Sequence, residues 1–354
     1  MRYLLSFSAV LLFQFQTINS QVVLDADGPG NTYELINSVL APGFDVIEVP
    51  DCNHAAFGRH IDEVFDSDLN SNVFRFNIHV TPDNDRCKNF DRQRNEIKAY
   101  DKSPDNLKGI EGENVIYKWK FKLDAGFQSS PNFTHIHQLK SVGGSLESMP
   151  MYTLTTRKGN PDQLELRYAE TDRQITLKKM DLAPFKGVWL EVTETINYAT
   201  DGIYSIEIKR VSDGVELFSY SNSSIINWRP GAEFVRPKWG IYRSLINAAD
   251  LRDEQVLFSG FSIEETGALS VDDFNFKKKV IKVLPNPAKS QILINEAVAN
   301  SFSEIYVYNS LGQFIKEIKP ISKTMDISDF NPGMYFIVFN KGAFTVGVER
   351  LIVK

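Results

Sequence analysis

The sequence predicts an all-β protein: a large β-sandwich or jelly roll followed by a smaller β unit. Three observations predict it. Aromatic residues make up 12% of the chain, mostly Phe and Tyr, and with frequent β-branched residues they favour strands. Short runs alternate apolar and polar residues with period two, as half-buried antiparallel strands do. Turn clusters separate these runs, and no helical periodicity fills the gaps between them. With 354 residues, 42% of them hydrophobic, the chain can bury one large core or two unequal ones.

Taken in order, residues 1–20 read as a signal peptide. Arg2 supplies the positive start, residues 4–15 are an apolar stretch interrupted only by small or uncharged polar residues, and Asn19 and Ser20 precede Gln21, the expected first mature residue. The apolar run is too short to span a bilayer comfortably, and no other segment qualifies. Residues 21–268 form the expected sandwich. Its clearest strands are 73–80, 115–123 and 203–209, and its turns include 82–85, Gly143-Gly144, 158–162 and 212–214. Residues 33–40, capped by Asn31 or Thr32, and residues 60–65 read as short helices at most. A charged linker, 269–279, ends in Lys277-Lys278-Lys279. Residues 280–354 restart the strand pattern at 291–295, 305–308, 335–340 and 344–353.

Two cysteines, Cys52 and Cys87, are expected to pair, because an exported chain meets an oxidising compartment. His54, His60 and His79 make a Cys/His metal site the rival reading, but the spacing lacks a C-x-x-C pair. Asp25-Ala26-Asp27-Gly28 allows a structural calcium without supplying an EF-hand's other ligands, and reads first as a turn. No cofactor is required and no catalytic metal is expected. The net charge of −6 lacks the basic footprint of a nucleic-acid binder, so any polyanion must be held by a local cluster. Phosphate-binding loops, dinucleotide fingerprints and nucleophile elbows are missing from the sequence.

Three strand-like segments carry polar residues at alternate positions, which gathers them on one face. In 92–98, Arg92, Arg94, Glu96 and Lys98 share a face, a costly cluster unless it meets solvent or an anion. In 134–140, Gln138 and Lys140 share one face, while His135 and His137 share the other with Leu139. In 236–243, Lys238, Gly240 and Tyr242 align, and Gly240 is expected to let a ligand approach the backbone.

Residues 280–354 resemble the C-terminal sorting domain of the type IX secretion system. The matching residues are Leu284-Pro285-Asn286-Pro287, 305–309 with Leu311-Gly312, Met325-Asp326-Ile327, Pro332-Gly333-Met334-Tyr335-Phe336, and the end of the chain. The three polar segments, in their order, resemble the signature strands of alginate-lyase-like jelly-roll polysaccharide lyases. That group carries Arg-x-Glu-Leu-Arg, Gln-Ile-His and Lys-x-Gly-x-Tyr. Here they stand as Arg94-Asn95-Glu96-Ile97-Lys98, Gln138-Leu139-Lys140 and Lys238-Trp239-Gly240-Ile241-Tyr242. The departure is Lys140 in the place of the group's His. Together with the tail, the likeness is to the ulvan lyases of polysaccharide lyase family 28.

The resemblance implies an exported, endo-acting lyase that cleaves ulvan by β-elimination, with an acidic polysaccharide and the type IX machinery as partners. Alternatives are a lyase on alginate or glucuronan, a glycoside hydrolase, and a non-catalytic carbohydrate-binding protein. Elimination needs a neutralised carboxylate, a base for the C5 proton and an acid for the leaving oxygen. Carried over by position, Lys140 is the base and Tyr242 the acid. Arg94 and Gln138 bind the uronate carboxylate, and Lys98 and Lys238 hold further anionic groups. Lys140 must be neutral to act, which nearby Arg94 or Lys238 would promote by like-charge repulsion. His137 is the rival base and a further substrate contact. By strand parity it points away from Gln138 and Lys140, unless a bulge reverses it. His135 reads as a wall residue.

Overall fold

The computed structural model describes residues 20–266 and, in the C-terminal part, 283–294, 304–310, 313–318, 324–341 and 344–354. The signal peptide, up to residue 19, and the linker lie outside the described residues. The chain divides into two compact units, Met1–Leu269 and Ser270–Lys354.

The first unit contains β1 (Ser20–Leu24), α1 (Thr32–Leu40), β2 (Ile47–Glu48), β3 (Ile61–Asp66), β4 (Ser71–Ile78) and β5 (Arg92–Lys98). There follow β6 (Asn114–Leu123), β7 (Thr134–Val142), β8 (Tyr152–Arg157), β9 (Gln163–Tyr168) and β10 (Ile175–Asp181). The unit closes with β11 (Leu190–Asn197), β12 (Gly202–Arg210), β13 (Glu216–Ile225), β14 (Phe234–Ser244) and β15 (Glu254–Glu265). These strands make two antiparallel sheets. One runs β13-β12-β11-β6-β15-β4-β3, with β1 also on β15, and the other runs β10-β9-β8-β7-β14-β5-β2.

The period-two alternation is what joins the sheets. In β6 the buried residues Val115, Tyr117, Trp119, Phe121 and Leu123 alternate with more exposed ones, so one face packs inward. Trp119 meets Trp239 of the opposite sheet at 6.0 Å between ring centroids, and Phe258 and Phe261 close around them. Each such fully buried side chain contributes roughly 1.5–3 kcal/mol. Residues 60–65 are not helical. Ile61 and Glu63 point inward and pair with Phe76 and Phe74 of β4, a strand pairing that local propensity does not announce.

Cys52 and Cys87 form a disulfide with Cα atoms 6.3 Å apart, stapling the segment after β2 to the loop before β5. In the chain-entropy account, closing a loop of this length stabilises the fold by about 3–4 kcal/mol.

In the second unit, Val283–Leu284, Gln291–Ile294 and Thr324–Asp326 form a three-stranded sheet. Phe314–Ile318, Glu304–Asn309, Gly333–Lys341 and Phe344–Val353 form a four-stranded one. Ile292, Val307, Ile337 and Leu351 are at the centre of its core. Phe314–Ile318 escapes the sequence pattern because no residue of it is buried.

Candidate active site

Strands β7, β14 and β5 are direct neighbours. In β5, Gln93, Asn95 and Ile97 turn into the sandwich, where Asn95 donates to the carbonyls of His60 and Asn77. Arg92, Arg94, Glu96 and Lys98 therefore take the outer face. β14 pairs with β5 without a break, setting Lys238 opposite Lys98, Gly240 opposite Glu96 and Tyr242 opposite Arg94. On the other side of β14, Lys238 faces Gln138 and Arg236 faces Lys140. One polar face thus carries Lys140, Gln138, Lys238, Tyr242, Arg94 and Lys98.

Carboxylates bind most of these cations. Lys238 is ion-paired with Glu48 and with Glu96, at 2.8 Å from the latter. Arg94 pairs with Glu96 and, at 2.9 Å, with Asp85. Lys98 reaches Glu48 at 2.8 Å, as Arg86 does at 2.6 Å. Gln138 donates to Glu96. Burial opposes ionisation of Glu48 and Glu96, but Lys238 and Arg94 hold both below the ordinary carboxylate range. Arg94 and Gln138 are thus already engaged by acidic side chains.

Two cations on the face are different. Among the described residues, neither Lys140 nor Arg236 has a carboxylate within salt-bridge reach. Arg236 Nε is buried without a hydrogen-bond partner, a deficit of about 1–3 kcal/mol unless a ligand supplies an acceptor. Burial lowers the Arg236 pKa. Burial, followed by Lys238, Arg236 and Arg94, lowers Lys140 to about 8.

At the other end of the face, the Arg94 guanidinium carbon lies 3.6 Å from the centre of the Tyr242 ring. Arg92 donates to the Tyr242 hydroxyl at 3.1 Å. That contact leaves the phenolic proton free to be given away and places a cation beside the oxygen that would lose it.

Gly240 does not open the backbone to a ligand. Its φ is +147°, and a Cβ there would stand 2.1 Å from the Asn95 carbonyl oxygen of β5. The glycine serves close strand approach. The pairing of β14 with β7 slips between Trp239 and Tyr242, and that of β7 with β8 between His135 and His137.

This irregularity sorts the histidines. His137 Nε2 meets Glu194 Oε2 of β11 at 2.8 Å, and its ring packs on Trp119 and Trp239. His137 and Glu194 are both buried between the sheets. The substrate contact and rival-base role expected of His137 are corrected to a core role. The bulge turns His135 outward instead, opposite Tyr242, with ring centroids 5.8 Å apart. Thr155 donates its single proton to Thr153 at 2.9 Å. It must therefore accept from His135 Nδ1–H at 2.7 Å, which leaves the lone pair on Nε2. Burial pushes the His135 pKa down to about 3, so the ring is neutral.

Residues 282–354 match the family of secretion system C-terminal sorting domains. The chain carries the type IX export signal. That domain sends the protein across the outer membrane, to the surface or the medium. No curated protein matches the chain. Solved structures of similar fold include three lyases. The endo-β-1,4-glucuronan lyase from the fungus Trichoderma reesei is 18% identical, with a TM-score of 0.42, over 59% of this chain and 87% of that one. A marine alginate lyase from Aplysia kurodai is 11% identical, with a TM-score of 0.46, over 68% and 97%. An alginate lyase from Pseudomonas aeruginosa is 14% identical, with a TM-score of 0.41, over 62% and 96%. No helix among the described residues is long and apolar enough to cross a membrane.

Sequence reasoning missed three residues of this exported protein's polar face. Arg236 shares the parity of Lys238, so alternation alone could have found it. Glu48 lies on a two-residue strand, too short for any pattern. His135 was assigned to the wrong side, because parity counting assumes an unbroken strand.

Proposed function

We propose that this exported protein is a polysaccharide lyase that cleaves an acidic, uronate-containing polysaccharide by β-elimination, with ulvan as the preferred polymer and endo cleavage as the mode. The observation that carries the reading is an amine lowered to about 8 on the same sheet face as a cation-flanked phenol. A base works best with a pKa near the ambient pH, and Lys140 meets that condition where an ordinary surface lysine does not. In this reading Lys140 takes the C5 proton and Tyr242 protonates the departing glycosidic oxygen. Arg236, with its unpartnered buried Nε, binds the uronate carboxylate and stabilises the charge that develops on it. Arg94, Lys98, Lys238 and Gln138 hold the wall of the site and contribute the positive field that a polyanion meets.

A hydrolase fits poorly. It needs one carboxylic acid kept protonated as a proton donor, whereas Glu48 and Glu96 are both held ionised by Lys238 and Arg94. One observation favours a second base. Lys140 faces Arg236, six residues along β14 from Tyr242, about 20 Å of extended strand. Two long side chains and a sugar ring must bridge that span. His135 faces Tyr242 directly and offers a neutral Nε2.

The test is incubation with ulvan, alginate, glucuronan and heparin while ultraviolet absorbance is followed. Elimination creates an absorbing unsaturated uronate, and ulvan should give the fastest rise. Reducing ends without absorbance would mean hydrolysis, and neither signal with any polymer would mean a binding protein.

A further inference from the structure

Away from the polar face, three histidines and an aspartate converge beside the disulfide. Asp83 Oδ1 meets His54 Nδ1 at 2.8 Å and His60 Nε2 at 3.2 Å. Asp83 Oδ2 meets His79 Nδ1 at 3.0 Å and accepts the His79 backbone N–H at 2.6 Å. One ligand atom from each of the four residues lies within 4.8 Å of the others. The side chains of His60 and Asp83 are fully buried, while His54 and His79 are about one-fifth exposed at the rim. The Phe57 ring packs against all three imidazoles, at 4.3–5.4 Å between centroids.

We propose that these four residues hold one divalent transition-metal ion, zinc foremost, in a closed structural site. Three imidazole nitrogens and one carboxylate oxygen are a borderline-soft donor set that suits zinc and not calcium, which takes oxygen ligands. Four ligands at about 2.0–2.1 Å from zinc stand about 3.4 Å apart, so the cluster needs to contract by little more than 1 Å.

The surroundings support the assignment independently. The other ring nitrogen of His60 meets Asp51 Oδ1 at 2.7 Å. Asp51 also accepts the Tyr33 hydroxyl at 2.8 Å. A histidine ligand whose far N–H is held by a carboxylate is the usual second layer of a metal site. A divalent ion would offset Asp51 and Asp83 together, with each histidine neutral.

The site would couple to the polar face. The disulfide fixes Cys52, two residues before His54, to Cys87, four residues after Asp83. Between Asp83 and Cys87 stand Asp85, which pairs with Arg94, and Arg86, which pairs with Glu48. The ion and the disulfide together would lock the loop that supplies these two charges.

The experiment uses the exported chain with its disulfide intact. The protein is stripped with a chelator, reloaded with zinc chloride, and analysed for metal by mass spectrometry and by titration against a chromophoric competitor. Binding close to one zinc per chain is expected, unaffected by excess calcium. His54→Gln and His79→Gln, both at the partly exposed rim, should each weaken zinc by ~100-fold or more, and Asp51→Asn by ~10–100-fold. Circular dichroism confirms that each variant is folded. Zinc should also raise the urea midpoint of the parent protein and not of the two histidine variants. Failure of the reloaded parent to retain zinc would overturn the site, as would unchanged zinc affinity in both folded histidine variants.

Discussion

On the proposed mechanism, replacing Arg236 by Gln tests the electrostatic tuning of Lys140 through the pH profile. With a pKa of about 8, roughly a quarter of Lys140 is neutral at pH 7.5, against ~0.1% for an ordinary lysine, a gain of about 240-fold in competent base. Arg236 stands directly opposite. Directly opposite residues have Cβ atoms about 5 Å apart. Placing the two charges about 7 Å apart at an effective dielectric of about 40 gives ~1.2 kcal/mol of repulsion, just under one pKa unit. Arg236→Gln should therefore move the acid limb of the kcat/KM profile from near pH 8 to near pH 9. The assay is absorbance of the unsaturated product on ulvan between pH 6 and 10. Loss of the carboxylate contact lowers kcat/KM at every pH. The displaced limb adds about a further 7-fold loss at pH 7 that disappears at pH 10. An unmoved limb in the variant would refute the tuning argument. A parent enzyme with no limb near pH 8 would refute the assignment of Lys140.

Tyr242→Phe should lower kcat by ~10²–10⁴-fold while substrate affinity, measured by calorimetry, stays within a few-fold, because only one proton donor is removed. Lys140→Ala should abolish turnover where His135→Ala leaves a measurable fraction; the opposite ranking in initial rates would transfer the base to His135. His137→Ala should destabilise the fold by about 2–4 kcal/mol in urea unfolding, through a lost buried hydrogen bond and a cavity under Trp119 and Trp239. Its kcat should change far less than that of Tyr242→Phe. Equal stability of the variant and the parent would contradict the core role.

Alternation made the fold legible, because a strand with one face buried prints its parity on the sequence. The β6 run from Val115 to Leu123 is the clearest case. What alternation cannot see is a break in itself. The slips around His135 and Gly240 are set by the backbones of three adjacent strands, and they put His135 on the polar face that parity denies it. Nor can alternation see side chains arriving from loops or from strands too short to show a pattern. Glu48 and Asp85 occupy Lys238, Lys98 and Arg94, so residues chosen as substrate ligands prove to be engaged already. The four residues around Asp83 lie 29 positions apart at most, yet three separate segments bring them together. His54, His60 and His79 were noticed in the sequence, but only with the cysteines, which are committed to the disulfide.

On the proposed function, the balance of charge on the polar face follows from its task. A protein of net charge −6 repels a polyanion at long range, so attraction must come from a local excess of cations. Packing Arg94, Lys98, Lys238, Arg236 and Lys140 on one face without carboxylates would be ruinous to stability. Glu48, Asp85 and Glu96 offset that repulsion where burial is deepest. Full compensation, however, would also remove the field at Lys140 and leave burial alone to hold its pKa down. Glu96 already pulls in that direction, against Lys238, Arg236 and Arg94. In the proposed mechanism the cations left over at the Arg236 end therefore serve both the substrate carboxylate and the base, and adding an acid there should weaken binding and raise the Lys140 pKa together.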